Sequence, residues 1–214
     1  MSKAKLLLGA CFAACLVSGL ISSTAFAGVW DVEGTQLVGT AALLPTALVL
    51  NPGQLTVPLA SVTIKCLAHE LSLKNGKLIA PDGILVESVV FHECTTENTG
   101  NCSVPDLIST VPIHGLADLD GVSNALILLL PESGKIFATI KFEGEKCALK
   151  GTQPVTQTKN TVDLLAPNAS TSQLLHLVTA FSLPESLRVG SDPAELTGLH
   201  FDIALESHKN WSFL

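Results

Sequence analysis

Between Gly28 and Leu214 short runs whose apolar residues recur at every second position are everywhere, and no window keeps the three-then-four spacing of an amphipathic helix. Gln54-Leu-Thr-Val57, Ser61-Val-Thr-Ile64 and Glu70-Leu-Ser-Leu73 alternate cleanly. Successive side chains of a strand point to opposite faces, so a chain patterned this way buries its apolar half by pairing strands into sheets whose inner faces meet. Turn formers punctuate the runs. Asn75-Gly76 predicts a hairpin ahead of Lys77-Leu-Ile-Ala80, and Pro81-Asp82-Gly83 predicts the next turn. Ile84 to His92 reads as one longer strand with Val86, Ser88, Val90 and His92 on one face. Further strands are expected at Leu107 to His114, Ala125 to Leu130, Lys135 to Phe142, Cys147 to Val155, Thr161 to Leu165, Leu174 to Leu183, Leu199 to Leu205 and Trp211 to Phe213. Ala125 to Leu130 is apolar on both faces and is expected in the middle of a sheet.

The expectation is an all-β fold, an antiparallel β-sandwich or barrel-like fold of about ten to twelve short strands, with room for a short helix at 184–197. No linker, composition shift or charge block divides residues 28–214, which read as one domain.

Residues 1–27 read as a secretory signal peptide. Lys3 and Lys5 form a positive start, Leu6 to Leu20 an apolar run, and Ala25-Phe26-Ala27 the small-residue site, predicting cleavage between Ala27 and Gly28. Loss of Lys3 and Lys5 takes the formal net charge from −7 to −9. Arg188 is the sole arginine and tyrosine is absent. A surface so poor in cations does not suit nucleic acid, and the usual anchors of a protein-binding hot spot are scarce. Beyond the leader no transmembrane segment is expected, and Trp30 and Trp211 alone would not make the aromatic girdles of an outer-membrane barrel. The destination read from the leader is periplasm, cell surface or medium.

Four cysteines follow the leader: Cys66, Cys94, Cys102 and Cys147. An even set in an exported chain points to two disulfides, for which three pairings exist. The polar, turn-rich stretch between Cys94 and Cys102 favours that short bridge, leaving Cys66 with Cys147. The alternative use of the same region is a zinc site from Cys66, His69, His92 and Cys94, which has usable ligand types and spacing but competes with oxidation of the thiols.

Chemistry-bearing motifs are few. No nucleophile elbow, zinc-protease helix motif, phosphate loop or dinucleotide fingerprint occurs. Asp118, Asp120, Gly121 and Asn124 gather oxygen donors, but Gly121 is misplaced for a calcium loop and a polar turn is expected. His114 is the first candidate base of a Ser-His-Asp arrangement assembled in space, and Glu143 and Glu145 form a carboxylate pair in a turn. The reading is of no catalytic residues and no cofactor. Two runs, Ala125 to Leu130 and Leu174 to Val178, would mark a partner or lipid-like surface if left exposed.

Val62-Thr-Ile-Lys-Cys66, Val89-Val-Phe-His-Glu-Cys94 with Cys102, Ile108-Ser-Thr-Val-Pro-Ile-His-Gly115, Leu128-Leu-Leu-Pro131 and Ile140-Lys-Phe-Glu-Gly144 up to Cys147 span about half the chain. In them the chain resembles a family of uncharacterised secreted, disulfide-containing bacterial β-rich proteins, which implies export, disulfides and a β fold. More weakly, Thr63 to Cys66 and Val89 to Cys94 are similar to strands of exported activators of alkane oxidation. The function expected is an exported non-catalytic binding or structural protein of the envelope or medium. The alternatives are a surface-active or adhesive helper for hydrophobic-substrate use and a secreted hydrolase. A hydrophobic ligand or a cell-surface partner fits either of the first two.

Overall fold

The computed structural model describes residues 28–44, 50, 52–98, 101–119, 125–157, 162–166, 174–181 and 187–213. The expected leader with its Ala27–Gly28 cleavage and the Asp120–Asn124 turn lie outside these residues. The chain is all-β and antiparallel. Its strands are Trp30–Val32 (β1), Thr35–Gln36 (β2), Thr40–Ala42 (β3), Gly53–Val57 (β4), Val62–Ser72 (β5), Lys77–Ile79 (β6), Gly83–Val86 (β7), Ser88–Asn98 (β8), Ile108–Ser109 (β9) and Ile113–Leu119 (β10). They continue as Ala125–Pro131 (β11), Ile136–Phe142 (β12), Gly151–Gln157 (β13), Val162–Ala166 (β14), Leu174–Phe181 (β15), Leu187–Val189 (β16), Asp192–Thr197 (β17), His200–Ala204 (β18) and Trp211–Phe213 (β19). The short helix expected at 184–197 is replaced by a hairpin, β16 pairing with β17 from Leu187↔Ala194 to Val189↔Asp192. Gly190, at φ 61°, supplies the left-handed turn residue between them.

Two eight-stranded sheets carry the fold. The first runs β18-β15-β14-β11-β10-β7-β6-β3, and its end strands are drawn together by an antiparallel bridge, Leu43↔Leu205. Leu44 N–H donates to the Ala204 carbonyl and Glu206 N–H to the Ala42 carbonyl, each at 2.9 Å. The second runs β12-β13-β16-β17-β4-β5-β8-β9 and is likewise brought edge to edge by bridges Ser103↔Glu143 and Thr110↔Ala138. Curling a sheet until its edges meet removes the unpaired backbone that an open edge presents. The two are called the first and second barrels below.

A third, small sheet, β19-β1-β2, joins the start of the described chain to its end. Trp30 is sealed there against Trp211, with ring centroids 5.6 Å apart, and against Phe213 edge-on at 4.7 Å. Its indole N–H donates to the Gly83 carbonyl at 2.9 Å, satisfying the one polar atom of the ring and tying this sheet to the first barrel.

Two local expectations fail for one reason. Asn75-Gly76 does make a turn, with Gly76 N–H donating to the Leu73 carbonyl. It closes no hairpin, because β5 belongs to the second barrel and β6 to the first. The single strand expected at 84–92 breaks at Glu87 into β7 and β8, again one in each barrel. Its inward residues are Ile84 and Val86, then Val89, so the expected face of Val86, Ser88, Val90 and His92 does not form. Between Val62 and Asn98 the chain thus crosses from one barrel to the other and back.

The long pair β5–β8 shows the crossing in its side chains. Val62, Ile64, Cys66 and Ala68 are buried in alternation, and from His69, directly after Ala68, burial continues out of phase at His69, Leu71 and Leu73. On β8 the switch falls at Glu93, whose φ of 52° is left-handed. One hydrophobic core results, running from the second barrel into the first.

Candidate functional site

The cysteines pair differently from the favoured arrangement. Cys66 joins Cys94 and Cys102 joins Cys147. The Cys94–Cys102 bridge fails because the chain does not turn back after Cys94. Thr95 to Asn98 continue β8 in register with Lys65 to Val62, which sets Cys94 directly opposite Cys66. Cys102 is then delivered to Cys147 by the seam at Ser103↔Glu143. Gly144 belongs to this seam: its φ is 123°, and a Cβ there would stand 2.1 Å from the Asn101 carbonyl oxygen.

The four candidate zinc ligands do not converge. The sulfurs of Cys66 and Cys94 are bonded to each other. His92 stands half-buried with Nε2 3.3 Å from a Glu70 carboxylate oxygen. His69, one pairing step away opposite Phe91, is fully buried and crosses to the other barrel. Among the described residues no group of three or more His, Cys, Asp or Glu comes together as a metal site.

His69 has a structural task that the sequence did not signal. Its Nε2 lies 3.1 Å from the His200 amide nitrogen and 2.8 Å from the His200 carbonyl oxygen; bare, it accepts from the N–H, and carrying the ring proton it donates to the carbonyl, one or the other by tautomer. The N–H and C=O of one residue point the same way along a strand, so the imidazole takes the place of a neighbouring strand beside β18. Phe201 meets the ring edge-on at 4.9 Å and Phe91 lies at 6.2 Å. The side chain of His200 in turn reaches Asp202, Nε2 to Oδ1 3.2 Å.

The candidate catalytic groups stand apart. His114 lies on the outer face of β10, and its partners across the ladder are Leu130 and Leu85, so neither an acid nor a hydroxyl stands opposite it. Glu143 is ion-paired with Lys141 at 2.6 Å. That ammonium holds the carboxyl below its ordinary range through a hydrogen bond and charge, and the carboxylate raises Lys141 in the same way. Glu145 is exposed. The run at Ala125 to Leu130 does become an inner strand, β11, between β10 and β14. Ile127 and Leu129 are buried, while Leu128 on its outer face keeps 36% of its surface exposed. The side chains of Leu174 to Val178 lie outside the described residues.

The feature the motifs did not reveal is inside the second barrel. A cavity of about 70 Å³ lies among Leu55, Ile64, Val155 and Leu187, with Phe91 and Leu199 on one side and Ala138 on another. Ile113 and Leu129, from the first barrel, close one end. Two lining residues carry polar side chains, and both are engaged away from it. Thr110 Oγ1 accepts from Val89 N–H at 2.9 Å, and the Gln54 amide donates to Thr56 Oγ1 at 3.4 Å. The wall is therefore hydrocarbon and sulfur, with Cys66 of the first disulfide part of it. Small inward residues, Gly53 on β4 and Ala138 on β12, leave the space open. That pair is the sequence signal available for this site, and it carries meaning only once the two strands are known to face each other.

Such a space takes up an apolar group without hydrogen bonds and offers nothing for acid–base or metal chemistry. Among the described residues no helix is long and apolar enough to cross a membrane, and the two disulfides are the chemistry of an oxidising compartment. The chain matches no family model, no curated protein and no solved structure.

Proposed function

We propose that the protein is an exported, non-catalytic binding protein that holds a small apolar molecule inside its second barrel. The observation that carries this reading is the apolar cavity of about 70 Å³, walled by an antiparallel barrel and fastened by both disulfides. Eight strands close a barrel around just enough room for side chains or one small ligand. A wall that shows no polar atom stays dry, because a water there would forfeit the two to four hydrogen bonds it needs. An empty dry space forfeits dispersion contacts as well, so an apolar guest gains on entry. The export reading rests on Met1 to Ala27, and the disulfides accord with it.

Xenon is the direct probe, since it binds apolar voids and little else. In methyl-resolved NMR under rising xenon pressure, saturable shifts are expected at Leu55, Ile64, Val155 and Leu187, with Ile203 of the first barrel unmoved. Shifts that never saturate, or that spread evenly over both barrels, would defeat the reading. Turnover of an ester or glycoside panel that disappears in His114→Ala would favour the hydrolase instead.

A further inference from the structure

The cavity also specifies what kind of molecule it takes. Resting on the binding reading above, we propose that the occupant is a compact hydrocarbon of about three carbons with no polar head, and that Gly53 sets its size limit.

The absence of a head follows from the wall. Ligand sites for amphiphiles pair an apolar tube with a few convergent polar groups that fix the head. Here Thr110 Oγ1 is held by Val89 N–H and the Gln54 amide by Thr56 Oγ1, so no side-chain donor or acceptor turns inward. The backbone groups of β4 and β5 are used in their ladder, with Gly53 opposite Cys66 and Leu55 opposite Ile64. A carboxylate or hydroxyl carried into this space would lose its water and gain no partner.

The size follows from the volume. A cavity of about 150 Å³ lined by similar side chains accepts benzene. The space here, about 70 Å³, is half of that and suits a smaller guest. Gly53 guards the margin. A Cβ on it would stand 3.4 Å from Leu199 Cδ2 and 3.4 Å from the Phe91 ring, both in the cavity wall, which is ordinary contact. One methyl therefore fits, and branches beyond it would occupy the guest's place. Ala138 lies on β12, four strands away around the eight-stranded ring and so on the opposite wall.

The test compares cyclopropane, propanoate and n-decane on the mature protein with its disulfides intact, read by the same methyl resonances. Cyclopropane is expected to bind saturably, with a dissociation constant on the order of 1 mM. Propanoate, with the same carbon count and a charged head, and n-decane, headless but too long, are expected not to bind. Gly53→Val should weaken cyclopropane by at least about 10-fold, while emission from the two tryptophans, both buried in the terminal sheet, stays unchanged. Propanoate binding as well as cyclopropane would overturn the headless ligand, and decane binding as well would overturn the size limit. Xenon entering while all three probes fail would end this inference and leave the binding reading standing; xenon failing too would end both. Should Gly53→Val lose the tryptophan signature, Ala138→Val replaces it. A folded Ala138→Val with undiminished cyclopropane binding would place the guest outside this cavity and overturn the proposal.

Discussion

The two barrels have the same number of strands, and the spaces that their described residues leave inside them differ. Beneath the first, the space among Leu71, Ile84, Val86, Ile127 and Ile203 amounts to about 10 Å³, room for one water molecule at most. The second keeps about 70 Å³ open. Two buried strand glycines make the contrast at atomic scale. A Cβ on Gly115, in the first barrel, would stand 2.2 Å from Ile84 Cγ2 and 2.9 Å from Ile127 Cγ2, whereas a Cβ on Gly53 would stand no nearer than 3.4 Å to its neighbours in the wall, Leu199 and Phe91. Both disulfides lie on the hollow barrel: Cys66–Cys94 pins β5 to β8, and Cys102–Cys147 fastens its closing seam. A void of this size costs about 1.7 kcal/mol of packing at ~24 cal/mol per Å³. A bridge spanning 28 residues contributes about 3.6 kcal/mol on the chain-entropy account, and one spanning 45 about 4.0. Either bridge more than offsets the void, so the hollow barrel keeps its space by being fastened across its strands rather than filled from within.

The bridges therefore offer the largest way to break the contrast. Replacing Cys102 and Cys147 together by Ala should lower unfolding free energy by about 4 kcal/mol, and replacing Cys66 and Cys94 by about 3.6. Denaturant titration gives these values. Hydrogen exchange gives the sharper result: with both pairs removed, amides of β12, β13 and β4 should lose protection before those of β7 and β10. First-barrel amides opening first would mean that the disulfides serve the whole fold and not the hollow half.

The glycines sharpen the contrast at smaller scale. Gly115→Ala forces a methyl into Ile84 and Ile127 and should cost ~1–3 kcal/mol, lowering the melting temperature by a few degrees. Gly53→Ala adds a methyl at contact distance and removes backbone freedom from the unfolded chain, so its effect should lie between neutral and about 0.5 kcal/mol stabilising. Equal losses from the two substitutions would erase the distinction between a filled and a hollow barrel.

The sequence made part of this legible. Period-two alternation identified β4, β12 and β18 nearly residue for residue, because a strand's face is a local property of the chain. The partner of a strand is not. The turn at Asn75-Gly76 and the run from Ile84 to His92 both looked like continuous pairing within one sheet, yet each lies where the chain changes barrel. The disulfides failed on the same ground: the loop after Cys94 looked free to fold back, but Thr95 and Thr96 are β-branched and extend β8 along β5. The cavity was least legible. It depends on Gly53 and Ala138 meeting across a barrel from distant parts of the chain, and on Thr110 and Gln54 turning their polar atoms away.

The smallest effect concerns the seam that closes the hollow barrel. Lys141 and Glu143 pair at 2.6 Å beside it, but both are exposed, while the seam itself is made of Ser103–Glu143 backbone bonds of 2.9 and 3.0 Å, the Thr110↔Ala138 bridge and the Cys102–Cys147 disulfide. Glu143 is held below its ordinary carboxylate range, so its contribution is present above that range and is lost as pH falls through the lowered value. Lys141 is raised, so its contribution is complete below the ordinary lysine range and is lost as pH rises through the raised value. Between those limits the pair acts at full strength, and water and salt screen it. Glu143→Gln should therefore leave the denaturation midpoint within experimental error at neutral pH, at low and at high salt. A clear loss at low salt that vanishes at high salt would mean that charge helps close the seam, and the hollow barrel would then owe its shape to more than covalent and backbone bonds.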